Sequence, residues 1–163
     1  MEWFVRAFIK ASLAWLAAGV TLGVAMALVP QWIIVRPAHM HMNLLGFVAM
    51  MIFGVAYHLI PRFTGHELHS RRLAAIHWWL ANVGLALLAL GFLLVPVLGF
   101  RPIALLGVGG TLAALGAYCF AYNLWRTIDG RAELRAAERA AMERMQSERA
   151  GRLPMMSSRG TAG

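Results

Sequence analysis

Apolar positions along the 163-residue chain gather into four long runs, over residues 3–29, 38–60, 73–98 and 103–124, with short polar or proline-containing joints between them. Each run is long enough to cross a bilayer as a helix, which takes about 20 residues. Proline marks the joints. Pro30 closes the first run, Pro37 opens the second within what would be its first turn, Pro61 closes the second, and Arg101 with Pro102 starts the fourth. Connections this short favour antiparallel neighbours, so the pattern predicts an all-α, four-helix transmembrane bundle of up-and-down topology. A cleavable signal peptide is the competing reading of the first run, because Arg6 and Lys10 accompany it. The length of the run, and the poor cleavage site offered by Val29, Pro30, Gln31 and Trp32 behind it, argue against that reading.

Past the fourth run the pattern changes. Arginine, glutamate and alanine dominate, predicting a cytoplasmic C-terminal amphipathic helix over residues 127–152 with a narrow apolar stripe of Leu134, Ala137, Ala141 and Met145. Arg139 and Glu143, Arg144 and Glu148, and Glu148 and Arg152 lie at i,i+4, so this helix can pair its own charges in solvent, lie on lipid or meet a partner. Residues 153–163 are expected to be disordered.

Composition sharpens this picture. Hydrophobic residues make up 60% of the chain and charged residues 13%, against roughly a quarter charged in soluble domains. A net charge of +8 raises the question of nucleic acid, but the bases follow the membrane segments instead. With the N-terminus inside, Arg6, Lys10, Arg62, Arg71, Arg72 and the arginines from Arg126 onward are all cytoplasmic, leaving only Arg36 and Arg101 outside. This positive-inside bias predicts an N-in, C-in multi-pass protein of the inner or plasma membrane, surrounded by lipid and not bound to nucleic acid. The single cysteine, Cys119, rules out an intrachain disulfide and reads as a small buried side chain.

Histidines are the informative polar residues inside the apolar runs: His39, His41, His58 and His77, with His66 and His69 in the joint between. No aspartate or glutamate lies within the runs, which argues against a carboxylate proton relay or an ion-coupled transporter. No Ser/His/acid triad or phosphate-binding glycine loop is visible either. His39 and His41, two apart, diverge by about 200° on a helix, so only one is expected to enter the bundle. His41 sits deeper and is the candidate; His39, in the first turn, is expected to meet water or headgroups. His58 lies on the order of 25 Å from His41 along the helix and close in depth to His77, so those two are candidates for a shared cofactor or proton path, or for plain hydrogen bonds to interfacial water. Asn43 and Asn82 need partners, which hydrogen bonds between helices would supply. Gly19 and Gly23 form a GxxxG pattern suited to close helix approach. Met40 and Met42 alternate with His39 and His41, and thioethers with imidazoles suit Cu(I), which makes copper the alternative metal.

The string from His41 through Asn43 to Phe47, followed by the run from Met50 to Arg62, resembles the second transmembrane helix of the haem-copper oxidase catalytic subunit, closest to the C-type oxidase and nitric oxide reductase branch. The stretch from His77 to Gly84 is similar to that family's next helix. The resemblance implies that His41 is an axial ligand of a haem b near the outer face; Asn43 beside it, and His58 and His77 by their shared depth, are the further cofactor-binding candidates. It covers residues 1–126, whereas the family's full subunit has about twelve helices, and the later ones carry its remaining haem ligands and its copper-ligating histidines. The implied function is therefore an integral membrane haem b protein acting in electron transfer or in a haem-linked redox or nitric oxide response. It has no complete haem-copper centre, and no autonomous oxidase activity is assigned. The second axial ligand would come from His41 of a symmetry-related copy in a homodimer assisted by the GxxxG face, from a separate respiratory subunit or cytochrome, or from Met26. The alternative is a non-catalytic assembly or interaction subunit of a larger membrane complex.

Overall fold

The computed structural model describes residues 1–99 and 101–152, the side chains of residues 131–134 and 150–152 excepted, and all its regular structure is helical. The expected disordered tail, 153–163, lies outside the described residues, as does the side chain of Leu134 in the expected stripe.

Helix α1 spans Trp3–Leu28. It ends because Pro30 fixes its own φ and biases the preceding residue away from helix: Val29 is extended, at φ −125 and ψ 90. The second crossing is composite. A 3₁₀ turn over Pro30–Val35 leads into α2, Arg36–His41, then a π-helical stretch over Met42–Ala49, then α3, Met50–Thr64. It is longer at both ends than the expected 38–60. Pro30 and Pro37 sit in first turns, where no amide donor is needed, and Pro61 falls so near the end that the helix runs on to Thr64. The stop is Gly65, whose φ of +74 is the left-handed conformation that glycine adopts without strain.

Ser70 caps α4, Arg71–Leu98, its hydroxyl accepting from the Leu73 amide at 3.1 Å. Helix α5 runs unbroken over Ile103–Arg152. The expected fourth membrane helix and C-terminal helix are thus one element. Nothing between residues 124 and 131 stops it: there is no proline, and Thr127 returns its hydroxyl to the Asn123 carbonyl at 2.7 Å, a bond compatible with helix.

Four segments, Trp3–Leu28, Pro30–Thr64, Arg71–Leu98 and Ile103–Arg149, are long and apolar enough to cross a membrane. They alternate in direction. Glu2 at the start of α1 pairs with Arg71 at the start of α4 at 3.4 Å, and Asn123 of α5 grips the Ser70 backbone at 2.9 and 2.8 Å. Those contacts define one end of the bundle, called the inner end below after the positive-inside reading; Pro30, Arg36, Leu98 and Ile103 lie at the other. Large apolar side chains such as Val24, Ile52, Ile76 and Val108 face outward, as they do when lipid rather than water is the surrounding solvent.

Small residues set two tight seams. On α1, a side chain at Gly19 would come within 2.6 Å of Asn43 Nδ2, and one at Gly23 within 2.8 Å of His39 Cε1. The GxxxG face of α1 is thus filled by the chain's own second crossing and does not serve as a free pairing surface for another copy. Between α4 and α5, a Cβ at Gly84 would meet the Ala113 backbone nitrogen at 2.6 Å. The inner half of the bundle is closed by Phe4, Val5 and Phe8 of α1, Met50 and Tyr57 of α3, and Ala74, Ala81 and Leu85 of α4.

Candidate functional site

The second crossing distributes its histidines around the bundle. Divergence by two residues is realised: His39 turns toward α1 and His41 toward α4. His41 Nδ1 lies 2.8 Å from the Pro37 carbonyl one turn back, and its ring centroid is 5.0 Å from that of Phe92 on α4. A carbonyl only accepts, so Nδ1 carries the proton and donates it, which leaves Nε2 as the basic nitrogen. The half-buried ring lines a cleft of about 390 Å³ whose other walls are Arg36, Pro37, Met40, Leu44 and Leu45. A basic imidazole nitrogen at this largely apolar cleft, with its tautomer fixed by a backbone carbonyl, could ligate a haem iron. Arg36 at the same cleft supplies a cation to match the carboxylates that such a macrocycle bears.

His39 is not at a watery helix end. Its Nδ1 donates to the Gly19 carbonyl at 2.8 Å, and the missing side chains of Gly19 and Gly23 make the room it occupies. The reason is geometric: once His41 faces α4, the residue two positions earlier must face α1. Asn43 shares that seam, donating to the His39 carbonyl at 2.8 Å, so it lies on the side of the crossing away from the His41 cleft. Because the two imidazoles diverge, they offer copper no shared position, and among the described residues no three His, Cys, Asp or Glu side chains converge on a point.

His58 and His77 are close in depth but not in surroundings. His77 is fully buried, its ring centroid 4.8 Å from Phe8, 4.6 Å from Phe53 and 5.5 Å from Phe120. Its Nδ1 is hydrogen-bonded to the Tyr57 hydroxyl at 3.0 Å, and its Nε2 has no hydrogen-bond partner. His58 instead lines a cleft of about 420 Å³ at the inner end, together with Tyr57, Arg62, His66 and Arg71. Tyr57 is therefore the residue common to both places. Asn82 behaves as a packing residue, accepting from Trp15 Nε1 at 3.3 Å and donating to the Trp78 carbonyl at 2.9 Å.

Sequence reasoning passed over Tyr57 and Asn123. Both were detectable by the rule that singled out Asn43 and Asn82, since each is a polar group in an apolar run that must find a partner.

No protein-family model matches the chain. The fold and the membrane-length helices define a multi-pass, all-α membrane protein. Among curated proteins, the chain is 34% identical to cytochrome c oxidase subunit 1 of Rhodobacter capsulatus, over 55% of this chain and 22% of that protein. It is 30% identical to a cbb3-type cytochrome c oxidase subunit of Stutzerimonas stutzeri and 31% identical to a bacteroid cytochrome c oxidase subunit 1 homologue of Bradyrhizobium diazoefficiens, over 55% of this chain in each case and 24% and 21% of those proteins. The chain is thus cytochrome c oxidase subunit 1-like, a multi-pass protein of the inner or plasma membrane, and spans about a quarter or less of the length of the relatives it matches.

Proposed function

We propose that this protein is an integral membrane haem b protein acting in electron transfer or in a haem-linked redox or nitric oxide response, with His41 as an axial ligand. The observation that carries the reading is the state of His41: Nδ1 is committed to the Pro37 carbonyl at 2.8 Å, and the ring lines an apolar cleft. Bound there, haem b would supply a one-electron redox couple. The chain's own contribution is to fix the imidazole tautomer through Pro37, to hold the ring against Phe92, to keep water from the cleft with Met40, Leu44 and Leu45, and to offer Arg36 to a carboxylate. The second ligand would come from His41 of a second copy in a homodimer, from a respiratory subunit or cytochrome, or from Met26. Because the GxxxG face is occupied internally, a homodimer would use the α2–α4 side where the His41 cleft lies. No oxidase turnover is assigned to this chain alone.

The test is the reduced and oxidised absorption spectrum of protein purified after haem-replete expression. A Soret band that His41→Ala abolishes is the expected result, with Asn43→Ala retaining the band because Asn43 faces α1. Absence of the band from the wild-type protein, or its survival in His41→Ala, refutes the assignment.

A second reading, an interaction subunit of a respiratory complex, is supported by the exposed arginine-rich end of α5. Co-purification of a larger membrane complex with no haem attributable to this chain would favour it.

A further inference from the structure

The cleft at the inner end is built differently from the one beside His41. It lies where α3 ends, α4 begins and α1 starts, a position that falls at the membrane–water interface because both Pro30–Thr64 and Arg71–Leu98 terminate there. Gly65 makes the geometry. Its left-handed φ of +74 folds the chain back so that the His66 amide reaches the Pro61 carbonyl at 3.2 Å, bringing His66 over the end of α3 beside Arg62 and His58. His66 Nε2 is buried and has no hydrogen-bond partner. The charges are not balanced pair by pair. Glu2 and Glu67 both approach Arg71, at 3.4 and 3.8 Å, whereas Arg62 has no carboxylate within ion-pair distance among the described residues. Phe4, Val5 and Leu68 give the cleft an apolar wall.

We propose that this cleft binds a phosphate group, with Arg62 as the principal cation and His58 and His66 as imidazole partners. Phosphate is the chemistry that suits it: an unpaired guanidinium forms a forked contact with phosphate oxygens, and a buried imidazole nitrogen without a partner gains one. An interfacial location with an apolar wall suits the headgroup of an anionic phospholipid, since basic pockets between membrane helices on the cytoplasmic side hold such headgroups. Free inorganic phosphate offers the same oxygens. The site is independent of the haem reading, being at the opposite end of the second crossing from His41.

The experiment uses the full chain in detergent. Thermal unfolding is followed with mixed micelles containing phosphatidylglycerol, with mixed micelles containing phosphatidylcholine, and with inorganic phosphate alone; retained phospholipid phosphorus is measured after gel filtration. Phosphatidylglycerol is expected to raise the unfolding midpoint and to be retained, and phosphatidylcholine to do neither. Arg62→Gln should weaken retention about tenfold, the consequence of one lost charge-assisted hydrogen bond. Glu67→Gln removes a competing carboxylate and should increase it. An Arg62-dependent shift produced by inorganic phosphate alone supports the same site with free phosphate as the ligand. The proposal is overturned when no probe gives an Arg62-dependent shift, or when phosphatidylcholine binds as well as phosphatidylglycerol. Should Arg62→Gln fail to fold, Glu67→Gln carries the test by itself, and unchanged or weaker retention in that variant overturns the proposal.

Discussion

His39 and His41 show how two polar residues, two positions apart in one apolar run, take on different work. Their divergence was legible in their spacing; which one would face water was not, because that depends on the helix opposite. The room for His39 comes from Gly19 and Gly23, more than fifteen positions away in the chain. Gly19→Val would drive a branched side chain into Asn43, and is expected to destabilise the protein by about 1–3 kcal/mol, read from thermal unfolding in detergent. His77 and Tyr57 make a second pair of this kind. Tyr57→Phe would leave a fully buried imidazole without its hydrogen bond, and is expected to cost about 1–3 kcal/mol in the same measurement. His77 itself was found in the sequence as a polar residue in an apolar run. Its cage of Phe8, Phe53 and Phe120 was not, because three separate helices supply it.

At the level of elements, the four apolar runs were read correctly as helices because the energetic demand is one-dimensional: hydrocarbon tolerates only a backbone that satisfies its own hydrogen bonds. Boundaries are less legible, since a proline in an apolar run does not by itself stop a helix. Pro61 lies inside α3 and the helix ends at Gly65, while the expected break before residue 127 is absent. The π-helical stretch over Met42–Ala49 has no signature in composition at all. The α4–α5 seam offers a controlled comparison between glycines. Gly84→Ala would set a methyl 2.6 Å from the Ala113 backbone nitrogen, where no side chain can give way, whereas a Cβ at Gly107 meets nothing within 4 Å. Gly84→Ala is therefore expected to lower the unfolding midpoint clearly, and Gly107→Ala to leave it unchanged or raise it slightly, worth up to about 1 kcal/mol of helix propensity. Asn123→Ala removes both bonds that clamp Ser70 to α5, and should open the α3–α4 joint to faster amide hydrogen exchange at Ser70.

For the whole molecule, the up-and-down order followed from short joints and is seen in the pairing of Glu2 with Arg71 and of Ser70 with Asn123. The distribution of arginine makes a further prediction. If the positive-inside reading of the charge at the ends of α1, α3 and α5 holds, both termini are cytoplasmic, so a fluorescent-protein fusion at the C-terminus should glow and a phosphatase fusion there should be inactive. Active phosphatase would reverse the orientation and put the His41 cleft at the cytoplasmic face.

The two glycine seams divide the chain into successive halves, α1 with the second crossing and then α4 with α5, each sealed mainly within itself. Biosynthesis meets these halves in order, N-terminal first. When the ribosome has delivered only the first half, the Tyr57 hydroxyl still lacks the imidazole of His77 that it bonds in the folded protein. Arrival of α4 supplies it, so this one buried hydrogen bond joins the first half to the second and forms only once both are in place.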